Sequence, residues 1–387
     1  MTASAVVVGA GVFGASTARE LAGRGWAVTL VEQYTPGDVR ASSGGESRLI
    51  RYSHGENLWY MRSARTARDR WRDLEQEVGE DLLVDCGVAW FARRDDGWES
   101  HSERALRGDG IPVERLDAAQ AQELFPSLRA DDLASVLLEP DAGALRARRA
   151  TRALATAAQR RGARLLTGAA KPSGQGVHVN GERLDADAIV WACGPWLATL
   201  FPRVVDLRVT KQDVTFFGAG PAWSSPPAPG WVDYDGAVYG LGDLDGRGFK
   251  CAPDAEGPEF DPDADPRVLS AESERLARDY LAWRFPALAQ APLVGSRTCQ
   301  YTVTVDTHFV AAAHPDGRGR VWLVGGGSGH GFKHGPSLGA HVADLIEGSA
   351  DPDPRFALGA REPARALRTS GSDGSAWVKT RDCAVED

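Results

Sequence analysis

The residues with the plainest chemical content in this 387-residue chain are three glycines near its start. They stand as Gly9-Ala10-Gly11-Val12-Phe13-Gly14, after the apolar run Ala5 to Val8 and at the head of a helix-like pattern from about Phe13 to Arg24. A second apolar run, Ala27 to Glu32, ends on a carboxylate. In such a strand–turn–helix–strand unit the glycines allow a tight turn and a close backbone approach to a pyrophosphate. The helix N-terminus faces the phosphates, and Glu32 can accept hydrogen bonds from a ribose. The plainer alternative is a glycine-rich turn of any α/β protein. The full context favours a dinucleotide, but the spacing does not separate FAD from NAD. Lysine is scarce, occurring only at Lys171, Lys211, Lys250, Lys333 and Lys379, so a lysine inside a motif is less expected by chance. His330 and His334 are four apart, but they straddle the start of a loop and no third ligand is expected near them. No metal site is therefore expected. Neither a Ser-His-Asp arrangement nor a basic-aromatic patch for nucleic acid is found.

The elements that must position these residues follow from periodicity. Ala5–Val8 and Ala27–Glu32 read as buried strands of a parallel sheet. An amphipathic helix is expected over Leu58–Val78, with Trp59, Ala64, Ala67, Trp71 and Leu74 on spacings of three and four. A helix over Leu145–Arg161 and strands at 163–166, 176–180, 188–192 and 321–324 continue an α/β pattern, and a helix follows from about Leu338 to Ile346. Residues 204–217 and 231–252 have a period nearer two and many glycines, tyrosines and aspartates, which suits an antiparallel sheet in a second domain. The length suffices for two cored domains. A net charge of -9 disfavours nonspecific nucleic-acid binding. No stretch approaches the ~18 apolar residues of a membrane span. The five cysteines (Cys86, Cys193, Cys251, Cys299, Cys383) are scattered without a CxxC. With no basic segment at the start, a cytoplasmic, reduced protein with no membrane partner is expected.

Four segments in order carry a resemblance. They are the glycine turn, Ser42-Ser43-Gly44-Gly45-Glu46-Ser47-Arg48-Leu49-Ile50-Arg51, Ile189-Val190-Trp191-Ala192-Cys193-Gly194-Pro195-Trp196, and Gly327-Ser328-Gly329-His330-Gly331-Phe332-Lys333, with Cys299-Gln300-Tyr301-Thr302 just before the last. To about Leu358 the chain resembles the monomeric sarcosine oxidase and N-methyltryptophan oxidase family, within the D-amino-acid-oxidase-like flavoproteins. The resemblance implies FAD rather than NAD. It implies an α/β fold with a Rossmann-like FAD domain of the glutathione-reductase/PHBH type and a second, α+β substrate domain on a largely antiparallel sheet. The expected division is 1-80, 139-212 and 300-365 for FAD, 81-138 and 213-299 for substrate, and 366-387 as a tail.

By the same resemblance, Gly9, Gly11, Gly14, Glu32, Ser42, Ser43, Arg48, Gly327, Gly329, His330, Gly331, Phe332 and Lys333 contact the cofactor. Cys299 bonds covalently to the flavin ring methyl group, where a thiolate can add to an electron-poor ring; the alternative is a buried structural cysteine. Lys250 matches the lysine that promotes O2 reduction, and Tyr239 lies eleven residues before it; the alternative is a surface lysine in a polar hairpin. Arg51 and Lys333 match the pair that holds the substrate carboxylate, against a surface ion pair of Arg51 with Glu46 or Glu56. Arg48 matches an arginine set against the flavin. Two positions depart from the family pattern, which has histidine where this chain has Gly44 and often where it has Asp254. Asp254 beside the substrate favours a cationic, hydroxyl or second amine group on it, so sarcosine itself is not carried over. The implied reaction is oxidation of the C–N bond of a secondary amine or amino acid to an imine, with O2 reduced to hydrogen peroxide. A dehydrogenase of the same fold using another acceptor, a flavin hydroxylase and a noncatalytic flavin-binding protein remain alternatives.

Overall fold

The computed structural model describes residues 2–364; the tail expected over 366-387 lies outside the described residues. The parallel strands foreseen near the start assemble into a six-stranded sheet. Its order from one edge is Val310–Ala313, Val321–Gly325, Ala188–Trp191, Ser4–Val8, Ala27–Glu32 and Arg164–Thr167. All pairings are parallel except the antiparallel edge pair Val310–Ala313 with Val321–Gly325. Helices Val12–Gly23, Ala147–Arg160 and Gly335–Glu347 pack together, and a cluster including Leu21, Leu30, Trp71, Leu154, Val190 and Leu338 fills the space beneath them. The apolar runs are continuous rather than alternating because these strands are covered on both faces.

The period-two segments belong to an eight-stranded sheet. Its order is Leu293–Val303, Arg208–Phe217, Phe249–Pro253, Val238–Leu241, Gly230–Asp233, Val88–Ala92, Ser135–Glu139 and Glu114–Leu116. The pairing is antiparallel throughout except between Gly230–Asp233 and Val88–Ala92. One face of this sheet is a dense apolar layer. Phe217, Phe249, Cys251 and Trp231 pack there against Tyr280 and Leu281 of helix Ala271–Arg284.

The other face follows from register, because side chains alternate along a strand. Lys250 pairs with Phe216 and Leu241, Tyr239 with Val232, and Val232 with Trp90. Gln212 pairs with Cys299 and Thr210 with Tyr301. Lys250, Tyr239, Trp90, Cys299 and Tyr301 therefore share the face opposite the apolar layer. A short sheet joins the loop after Glu32 to this assembly, with Ser47–Ile50 antiparallel to Gly143–Arg146.

A candidate cofactor cleft with a cationic inner end

The glycine turn forms one wall of a cleft. Gly9 has φ +99°, and a Cβ there would lie 2.4 Å from the Ala192 carbonyl oxygen. A Cβ on Gly14 would lie 1.9 Å from the Gly9 carbonyl oxygen. Only glycine keeps the strand and helix this close. Gly11 is the N-cap of helix Val12–Gly23 and supplies no side-chain cap. The start of the helix is left facing the cleft, with Ser43 Oγ accepting from the Val12 amide at 3.0 Å. Glu32 accepts from the Ala10 amide at 2.7 Å and the Tyr34 amide at 3.1 Å. Burial raises its pKa above the usual carboxylate value.

Gly9, Gly11, Glu32, Ser42, Ser43, Arg48, Cys299, Gly327, Gly329, Gly331 and Phe332 all line this cleft. Ser42 Oγ is buried there without a hydrogen-bond partner among the described residues. A glycine cradle at an uncapped helix start, an acceptor carboxylate and an orphaned hydroxyl fit a dinucleotide, with the helix start toward phosphate and Glu32 toward ribose. Gly44 has a steric cause. A Cβ there would lie 1.9 Å from the Asp38 carbonyl oxygen, so no larger side chain fits.

Beside the cleft, residues of four strands meet. Arg48 donates to the Ser47 and Ser42 carbonyls at 2.7 Å each, and its Nη2 lies 3.4 Å from Cys299 Sγ. Cys299 is 5% exposed. Lys250 is 3% exposed, with Nζ 3.5 Å from the Ser47 carbonyl and 4.7 Å from the Tyr239 ring centre. Burial, then the Arg48 charge, pulls its pKa down to about 7. This position excludes the surface hairpin reading. Burial pushes the Tyr239 hydroxyl up to about 12. Asp254 accepts from the Tyr301 hydroxyl at 3.0 Å.

Arg51 is 6% exposed, and its guanidinium lies 5.0 Å from the Trp90 ring centre. Its surface partners are taken elsewhere, Glu46 by Arg148 and Glu56 by His101. Burial lowers the Arg51 pKa to about 10, against the opposing charges of Glu139 and Asp254. Lys333 is equally buried and donates to the His330 carbonyl at 2.8 Å. Burial and then Arg51 hold its ammonium well below the usual range. Arg51 and Lys333, distant in sequence, thus act on each other in one buried region. Trp71 of helix Leu58–Val78 fixes the turn carrying Lys333, its Nε1 donating to the Lys333 carbonyl at 2.9 Å.

Some positioning residues had no sequence signal. Glu139 is fully buried and accepts from the Tyr52 amide at 2.6 Å, the Ser53 amide at 3.2 Å and Trp90 Nε1 at 2.7 Å. It anchors the segment after Arg51. The acid ending the apolar run Ser135–Glu139 was its only trace. The expectation that His330 and His334 lack a third ligand is corrected. His54 folds against them, and one ring nitrogen of each of the three lies within 4.8 Å of the others. The His330 ring turns to the Thr307 carbonyl, 2.9 Å from Nε2, while Gly329 and Gly331 beside it line the cleft.

Comparison with known proteins agrees with this geometry. Monomeric sarcosine oxidase of Bacillus sp. (strain B-0618) is 27% identical over 356 residues, covering 88% of this chain and 91% of that protein. N-methyl-L-tryptophan oxidase of Yersinia pestis (strain Pestoides F) is 23% identical, covering 90% and 95%. The crystal structure of glycine oxidase from Geobacillus kaustophilus superposes with a TM-score of 0.76 at 26% identity, covering 93% of this chain and all of that one. The profile of the DAO family, described as FAD dependent oxidoreductase, matches residues 4–345. Glycine cradle, acceptor carboxylate and family profile agree, and the chain belongs to the FAD-dependent oxidoreductase family.

Proposed function

We propose that this protein oxidises the C–N bond of a small secondary amine or amino acid to an imine and passes the electrons to O2, giving hydrogen peroxide. The observation that supports this reading most is that Arg48 and Cys299, which line the cleft, have buried Lys250 and Tyr239 beside them, with Arg51 and Lys333 buried nearby. The relatives named above are oxidases of sarcosine, N-methyl-L-tryptophan and glycine, all of them amino acids or N-methyl amino acids. Bound FAD supplies the hydride acceptor and the two-electron store.

The chain supplies the rest. Arg51 offers a planar fork and Lys333 a point charge for a substrate carboxylate. The same cations lower the pKa of a bound ammonium, which leaves a neutral amine whose lone pair assists loss of hydride from the adjacent carbon. Arg48 places fixed positive charge where negative charge develops on reduction. Lys250 does so for O2, whose first added electron makes an anion in a poorly hydrated site. Its position disfavours the dehydrogenase alternative, and the retained cations disfavour a noncatalytic binding protein. Cys299 is the attachment point for the cofactor, because it lines the cleft with its sulfur 3.4 Å from Arg48 Nη2.

The division into an FAD domain (1-80, 139-212, 300-365) and a substrate domain (81-138, 213-299) belongs to the same reading. It is supported by sheet membership, since every strand of the six-stranded sheet comes from the first set and most of the eight-stranded sheet from the second. The test is aerobic incubation of the purified protein with secondary amines and amino acids. Peroxide should form in proportion to the O2 consumed. Oxidation of an amine that consumes no O2 and requires an added electron acceptor would favour the dehydrogenase alternative.

A further inference from the structure

Around the turn that carries Lys333, three histidines from two distant segments form a closed cluster. His54 follows the Arg51 segment, and His330 and His334 flank Lys333 in the turn before helix Gly335–Glu347. They are 2%, 4% and 0% exposed. The ring centres of His54 lie 6.1 Å from those of His330 and 5.4 Å from those of His334. Tyr60 and Phe309 enclose them, each ring centre within contact distance of His330 and His334.

Each imidazole is oriented through one nitrogen. His54 Nδ1 meets the Tyr52 carbonyl at 2.8 Å, and His330 Nε2 meets the Thr307 carbonyl at 2.9 Å. His334 Nδ1 meets Ser63 Oγ at 3.0 Å. A carbonyl can only accept, so Tyr52 and Thr307 fix the protonated nitrogen of His54 and His330 and leave an acceptor lone pair on the other. His54 Nε2 and His334 Nε2 are buried and make no hydrogen bond among the described residues. Buried polar atoms are normally paired, and an orphaned one in an apolar shell is costly. A cation resolves this. Neutral imidazoles pinned through their second nitrogen to carbonyls or hydroxyls have the outer arrangement typical of metal-bound histidine.

We propose that His54, His330 and His334 hold a transition-metal cation of the imidazole-preferring class, zinc foremost, which pins the turn carrying Lys333 to the segment carrying Arg51. The ring nitrogens lie within 4.8 Å of one another. Each needs to move inward by at most about 0.7 Å to reach a central ion at the usual ~2.0–2.1 Å. Three neutral ligands leave a fourth tetrahedral position for water or hydroxide. Hydroxide there offsets part of the charge the ion adds beside Arg51 and Lys333. Oxygen-preferring calcium and magnesium do not suit a set of three nitrogens. The imidazoles themselves take no part in amine oxidation, which uses Lys333 Nζ.

Because the cluster is closed to solvent, the metal must be present as the chain folds. The test is to express the full-length protein in medium supplemented with zinc, and separately with copper, purify it with its flavin, and measure metal and flavin in the same sample. About one equivalent of metal per chain is expected. His54→Ala and His334→Ala should each reduce it to background. Ser63→Ala, which removes only the orienting contact, should weaken retention against a chelator by about 10- to 100-fold while the protein keeps its fold and flavin. Wild-type protein that carries flavin but less than about a tenth of an equivalent of any transition metal overturns the proposal. So does metal that persists in a folded His54→Ala or His334→Ala variant. Metal content alone decides this proposal, and amine turnover on the same preparations tests the oxidase reading.

Discussion

Replacing Lys250 with methionine removes one charge and keeps most of the side-chain volume. Lys250 is 3% exposed and packs over Tyr239 at 4.7 Å, so its charge acts in a poorly screened site. A unit charge about 4 Å from a developing anion, at an effective dielectric near 20, contributes about 4 kcal/mol. That corresponds to roughly 10³ in rate. The lysine pKa of about 7 means that only part of the population is charged near neutrality, so a loss of about 10² to 10³ is expected, the range found for removing one preorganised group. Stopped-flow mixing of substrate-reduced enzyme with O2 isolates this step, and anaerobic mixing with substrate isolates reduction. Reoxidation should slow by that factor in Lys250→Met, and reduction much less. The charged form lies below the pKa, so wild-type reoxidation should be fast at low pH and fall as pH rises through the lysine pKa. The negative charge of a reduced cofactor lifts that pKa above about 7. The variant should be slow and flat over the same range. Equal reoxidation rates in the two proteins would place O2 reduction elsewhere and refute the argument.

Acid precipitation of the wild type should retain yellow colour on the protein and Cys299→Ala should release it; complete release from the wild type defeats the covalent bond. A small carboxylic acid should bind competitively and perturb the flavin spectrum, and Arg51→Ala or Lys333→Ala should each weaken it by about 1.5–3 kcal/mol; uncharged amines turned over without any carboxylate effect would exclude the amino-acid reading. Asp254→Asn should impair only those substrates that carry a further donor or cation, measured as kcat/KM across a paired panel, and a uniform loss would assign Asp254 a structural role. Glu99 is 2% exposed, and burial and then the nearby Asp235 raise its pKa to about 7. Its protonated form is favoured in the fold, so this contribution to stability is full below the unfolded value near 4.5 and lost as pH rises through about 7. Glu99→Gln should therefore gain on the wild type between pH ~5 and ~8 by on the order of 2–3 kcal/mol in denaturant unfolding; a gap that does not change with pH contradicts this.

Local pattern carried far in this chain. Helix Leu58–Val78 and strand Ala27–Glu32 have the bounds expected from periodicity alone, because each buries one stripe or run without help from special contacts. The glycine turn was legible for a related reason, since its geometry is local and only glycine satisfies it. Glu139 and His54 were not legible. Glu139 acts on backbone amides 86 and 87 positions away, and His54 meets histidines brought in by a turn near the other end of the chain. Neither contact leaves a period or a spacing. The surface alternatives for Arg51 and Lys250 stayed open in the sequence for the same reason, since burial is a property of the assembled sheets. Asp254 was visible as a departure from the family, but its partner Tyr301 became apparent only when the register of Arg208–Phe217 brought Leu293–Val303 onto the same face.

On the proposed function, a small amine or amino acid reduces a flavin held in this cleft. Anaerobic titration of the purified flavin-containing protein with a panel of secondary amines and amino acids tests it directly. Bleaching of the long-wavelength flavin band by at least one of them, and return of the band on admitting O2, is the expected result. A flavin band that no member of the panel bleaches, in protein that dithionite fully reduces, would contradict it.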